Sequence, residues 1–138
     1  MTDAAKPRRW LGLFDLALAG LHAYLGLVLA PSRRPFFVAA VVALVVIEGL
    51  AGLALFFGVR GATKLGRVAG AATISVGAII IIGLIASAGF LRGAYGALGQ
   101  GLALGVVIAI VVVSHLFVLP GIWQLRCLPA TSGPAKPS

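Results

Sequence analysis

The chain is poor in acids, histidine and sulfur. Its 138 residues hold three Asp and Glu together, two His, one Cys and one Met. A single cysteine, Cys127, excludes an intramolecular disulfide and a cysteine-built metal cluster. Charged residues make up only 10% and hydrophobic ones 61%, whereas a soluble domain carries about 25% and about 45–50%. That balance excludes an ordinary soluble domain, a disordered chain and a disulfide-stapled secreted module. There is also no Gly-x-Ser-x-Gly elbow, no phosphate-cradling glycine loop and no HExxH, so no residue is assigned a catalytic role.

Long apolar runs take the place of what is missing. Four of them, over residues 10–30, 36–58, 68–91 and 97–122, reach the roughly 20 helical residues that cross a bilayer core. None alternates with the period of two that a membrane strand requires. In hydrocarbon only a helix or a closed barrel satisfies the backbone, so the runs read as helices. The fold class is therefore all-α: a polytopic membrane protein of four transmembrane helices. The connections are short, which makes neighbours antiparallel and gives an up-down-up-down bundle. Residues 1–9 form an N-terminal segment, 10–126 the four-helix transmembrane domain, and 127–138 a Pro/Ala/Ser/Gly-rich tail that reads as disordered. Pro31 follows Val28-Leu29-Ala30 and opposes cleavage there, so the first run reads as a span and not as a signal peptide.

The formal charge of +8 is a topology label. Lys6, Arg8, Arg9, Arg60, Lys64, Arg67, Arg126 and Lys136 fall on one side of this arrangement, and Arg33, Arg34 and Arg92 on the other. The positive-inside rule then places both termini in the cytoplasm, as in a multi-pass protein of a bacterial-type inner membrane. Trp10 and Trp123 come to the same interface, where indole rings prefer to sit. Basic residues confined to the ends of apolar runs do not make a nucleic-acid surface, and the bilayer is the expected partner.

Two of the three acids and both histidines lie inside the expected spans: Asp15 and His22 in the first, Glu48 in the second, His115 in the fourth. An ionisable residue at mid-bilayer costs about 2.5–3.5 kcal/mol on insertion scales, so it faces the bundle interior or another subunit. Asp15, Ala19, His22 and Gly26 step by four, three and four along one helical face, and Ala51, Gly52 and Leu55 continue the face of Glu48. At about 1.5 Å per residue, His22, Glu48 and His115 fall at similar depth, with Asp15 nearer the cytoplasm. No Lys or Arg lies inside a span to pair with the acids. Asp15, His22, Glu48 and His115 are therefore candidates for a proton or cation path. The plain alternative is that they are interhelical hydrogen-bond glue, worth about 0.6–2 kcal/mol. A further alternative makes His22 and His115 the axial ligands of a haem b in an electron-transfer anchor; no other cofactor or metal is expected.

Small residues repeat along the last two helices. Ala97, Gly101, Gly105 and Ala109 form a ridge on the fourth, with a GxxxG at its centre, and Gly70 and Gly77 belong to a similar row on the third. Such ridges let helices approach closely, within one chain or between subunits. The expected function is that of a small subunit that self-associates or joins other membrane subunits and carries an intramembrane polar site. The alternative is an inert accessory subunit in which the same residues only fix helix register.

Overall fold

The computed structural model describes residues 6–29 and 35–128, with the side chains at 6–8, 29, 97 and 98 excepted. Among these residues the chain is helical nearly throughout, and four helices are long and apolar enough to cross a bilayer. They are α1 (Arg9–Val28), α2 (Pro35–Phe57), α3 (Ala62–Gly96) and α4 (Gly99–Cys127). The expected turn between Pro31 and Pro35 falls largely outside the described residues, as does the tail beyond Leu128. Pro35 opens α2, a position where its missing N–H costs nothing and its fixed φ already suits a helix.

The connection between α2 and α3 is shorter than the charge pattern suggests. Gly58 and Gly61 take positive φ of 68° and 90°, which only glycine adopts freely. The turn closes with Val59 N–H donating to the Ala54 carbonyl at 3.0 Å and Ala62 N–H to the Val59 carbonyl at 3.0 Å. Helix α3 thus begins at Ala62, and Lys64 and Arg67 ride on its first two turns instead of in a loop. The α3–α4 turn is tighter still. Helical geometry is broken at Gly96, with φ 52° and ψ −125°. The chain reverses so sharply there that a side chain on buried Gly99 would run into the Leu91 carbonyl.

Two compact units result, one from residues up to Gly70 together with those from Gln124 onward, the other from Ala71 to Trp123. In the first, α1 and α2 pack antiparallel. Leu11, Asp15, Leu18, Ala19 and His22 are the buried seam of α1, and Leu44, Glu48, Ala51, Gly52 and Leu55 that of α2. These are the three-and-four spacings of one helix face. The backbones nearly touch where Gly12 meets Gly52: a Cβ on Gly12 would lie 2.6 Å from the Gly52 carbonyl oxygen and 2.6 Å from the Phe56 amide nitrogen. The start of α3 and the end of α4 complete this unit. Gly66 leaves room for Leu128 and Leu55, and the Arg67 guanidinium donates to the Leu128 carbonyl at 3.3 Å. Leu128, expected in a disordered tail, is buried.

In the second unit, α3 and α4 pack through Gly77, where a Cβ would stand 2.7 Å from that of Phe117. Helix α4 widens into a π-turn over Ser114–Val118, closed by Leu119 N–H donating to the Ser114 carbonyl. Pro120 follows directly. Its ring lacks an N–H and crowds the carbonyl of Leu116, and a wider turn in front of it relieves that crowding.

The Gly12 crossing is testable by substitution. Gly12→Ala forces the two backbones apart and is expected to destabilise the protein by about 1–3 kcal/mol. Gly20→Ala, at a position with open space around it, is expected to leave stability unchanged or slightly raised. Thermal unfolding of both variants in the same detergent measures the difference, and equal midpoints would refute the close crossing.

Candidate functional site

The polar residues of the first unit form two buried pairs along α1. His22, four residues short of Gly26 on the α1 seam, reaches across to Glu48 on α2. Its Nδ1 lies 2.9 Å from Glu48 Oε1 and 2.8 Å from Oε2, with the two side chains 2% and 1% exposed. The ring nitrogen is thus shared between both carboxyl oxygens.

Two turns nearer the N-terminus, Asp15 is wholly buried. Gln124, in the last turns of α4, donates from Nε2 to Asp15 Oδ2 at 2.8 Å. Asp15 Oδ1 has no hydrogen-bond partner. The partner that Asp15 does have is a neutral amide. A buried carboxyl oxygen left unpaired carries a desolvation cost. One acid of the site is therefore held by a titratable base, and the other by an amide with one oxygen left over.

Of the four ionisable residues singled out by position in the sequence, the fold brings Asp15, His22 and Glu48 into one unit. His115 belongs to the other unit and is exposed on α4, where its Nδ1–H donates to the Val111 carbonyl of its own helix at 2.8 Å. The neighbouring Ser114 hydroxyl bonds back to the Ile110 carbonyl at 2.8 Å, so both side chains serve backbone carbonyls at the π-turn. The two histidines considered as haem ligands thus sit in separate units, with Nδ1 of each engaged. Among the described residues no group of three His, Cys, Asp or Glu is gathered that could hold a metal ion.

Gln124 is the member that sequence reasoning passed over. It follows Trp123 at the end of an apolar run, where an uncharged polar residue looks like an interfacial one. The only signal available was its spacing from the helix end. Of the small residues, Gly70 and Gly77 are buried, whereas Gly101 and Gly105 are exposed with open space where a Cβ would stand. Ala109 is half-buried, and the side chain of Ala97 lies outside the described residues. The glycines that bring α1 and α2 together are Gly12 and Gly52, not the GxxxG of α4.

No protein-family model, curated protein or solved structure matches the chain, so its function is argued from the geometry.

A double-mutant cycle tests the pairing of His22 with Glu48. The two alanine substitutions are expected to be non-additive, with a coupling of about 1–2 kcal/mol. Strict additivity in reversible unfolding from mixed micelles would remove the interaction.

Proposed function

We propose that this chain is an integral membrane protein whose four helices span the bilayer with both termini in the cytoplasm, and that its buried polar site conducts protons. The observation that carries the proposal is the His22–Glu48 pair, an imidazole and a carboxyl sharing one short contact inside an apolar helix pair. Asp15, a second acid on the same seam with an unpaired oxygen, provides a further station nearer the basic end. Ionisable side chains at such positions carry a cost that packing alone does not require.

The bilayer setting is supported by helix length and by charge. Along α3, Lys64 and Arg92 stand 28 residues apart, or about 42 Å of helix. That matches the roughly 40–45 Å from headgroup to headgroup. The excess of basic residues at the end holding Arg9, Arg60, Lys64, Arg67 and Arg126 supports placing it in the cytoplasm.

A structural reading of the same pairs has its own observation: each one ties two helices together, α1 to α2 and α1 to α4. Proteoliposomes loaded with a pH-sensitive dye separate the two. Glu48→Gln keeps a hydrogen-bonding group of the same shape but cannot exchange a proton near neutral pH. It is expected to abolish a proton flux that the wild type supports, with the fold retained by circular dichroism. Equal flux in the two proteins, or none above empty vesicles in the wild type, assigns the pairs to packing alone.

The protein acts, in this proposal, as a subunit of an assembly. Gly101, Gly105, Ile108, Val112 and His115 are all exposed on α4 at three-to-four-residue spacing, a face with room for another helix and one polar side chain in it. In-membrane crosslinking is expected to capture a self-associated or partner-bound species that Gly105→Leu reduces several-fold. A wild type that stays monomeric and partner-free in native membranes contradicts this part.

A further inference from the structure

The basic side chains of the first unit are drawn to one end by the fold, although they come from three separate stretches of sequence. Arg9 opens α1, Arg60 lies in the turn before α3, Lys64 and Arg67 follow on its first two turns, and Arg126 is in the last turn of α4. Three contacts hold these stretches together. Gly12 of α1 meets Gly52 and Phe56 near the end of α2. Gly66 of α3 fits against Leu128 and Leu55. The Arg67 guanidinium bonds the Leu128 carbonyl, two residues beyond Arg126.

Arg9, Arg60, Lys64 and Arg126 are exposed. Among the described residues the only acids, Asp15 and Glu48, are fully buried, so none neutralises this surface. Trp10, beside Arg9, is 73% exposed. An indole next to guanidinium groups suits the boundary where hydrocarbon gives way to phosphate.

We propose that this end of the molecule binds the headgroups of acidic phospholipids, with Arg9, Arg60, Lys64 and Arg126 supplying the charge. Guanidinium groups match phosphate oxygens in pairs, and an ammonium adds a mobile point charge. Arg67 has a different part: it is tied to the Leu128 carbonyl and holds the other groups in register. The occupant is a lipid and not a free anion because the basic side chains border apolar helix surface, which inorganic phosphate cannot cover. The inference rests on the bilayer reading but not on proton conduction, and its test uses no proton gradient.

The full chain in detergent, offered equal amounts of phosphatidylglycerol and phosphatidylcholine, is followed by native mass spectrometry. Wild type is expected to retain the acidic lipid preferentially. Each basic side chain removed is expected to lower that preference about fivefold. The variant Arg60→Gln/Lys64→Gln/Arg126→Gln then loses about a hundredfold of that preference, keeping only the part due to Arg9, and Arg92→Gln, on the other unit, binds as wild type does. Arg60→Gln alone, at an exposed turn, covers the case in which the triple variant fails to fold. Equal retention of the two lipids by wild type overturns the proposal, as does an unchanged preference in the Arg60 variant or an equal loss in Arg92→Gln. Inorganic phosphate displacing the acidic lipid at equal concentration also overturns it, because the site then recognises the anion alone.

Discussion

The approach of two backbones at Gly12 and Gly52 sets the terms for the first unit. Helix axes normally stand about 8–10 Å apart, a distance fixed by the side chains between them. With no side chain on either glycine, α1 and α2 close to backbone contact at that point. The close approach brings the two buried seams together, and it lets the short reach of an imidazole and a carboxyl bridge the helices further along.

The same economy explains the unequal treatment of the two acids. Glu48 faces a group that can balance its charge, and both of its oxygens lie against one nitrogen. Asp15 is met by an amide from a segment more than a hundred residues away, and it keeps an unsatisfied oxygen. Natural proteins retain few such orphans, and those that persist tend to be where chemistry or binding occurs. The proposed proton path makes use of this asymmetry, and a simple hydrogen-bonded clasp does not require it. The orphan oxygen is the feature that the packing of these helices leaves unexplained.

Much of the architecture was legible in order of residues because its signals are local. Apolar runs of sufficient length make helices, and the spacing of Asp15, Ala19 and His22, like that of Glu48, Ala51, Gly52 and Leu55, marks faces that the fold indeed buries. Helix ends were less legible. Lys64 and Arg67 look like loop residues by their charge, yet a helix tolerates lysine and arginine well, and the turn needed only Gly58 to Gly61. The glycine contacts were least legible of all. A GxxxG spacing marks where an approach is possible, but Gly101 and Gly105 stay open. Gly12 and Gly52, which no comparable spacing announces, make the contact instead.

What the sequence determined by itself is the helical character of the chain, the number and approximate extent of its apolar helices, and the scarcity of charge within them. Each of these depends on neighbours within a few turns. Only the tertiary structure decided that His22 pairs with Glu48, that Gln124 and not a cation answers Asp15, and that His115 points outward to its own backbone. Those outcomes depend on the rotation and separation of helices far apart in the chain. They are set by how closely glycines let backbones approach, and hydropathy does not encode that distance.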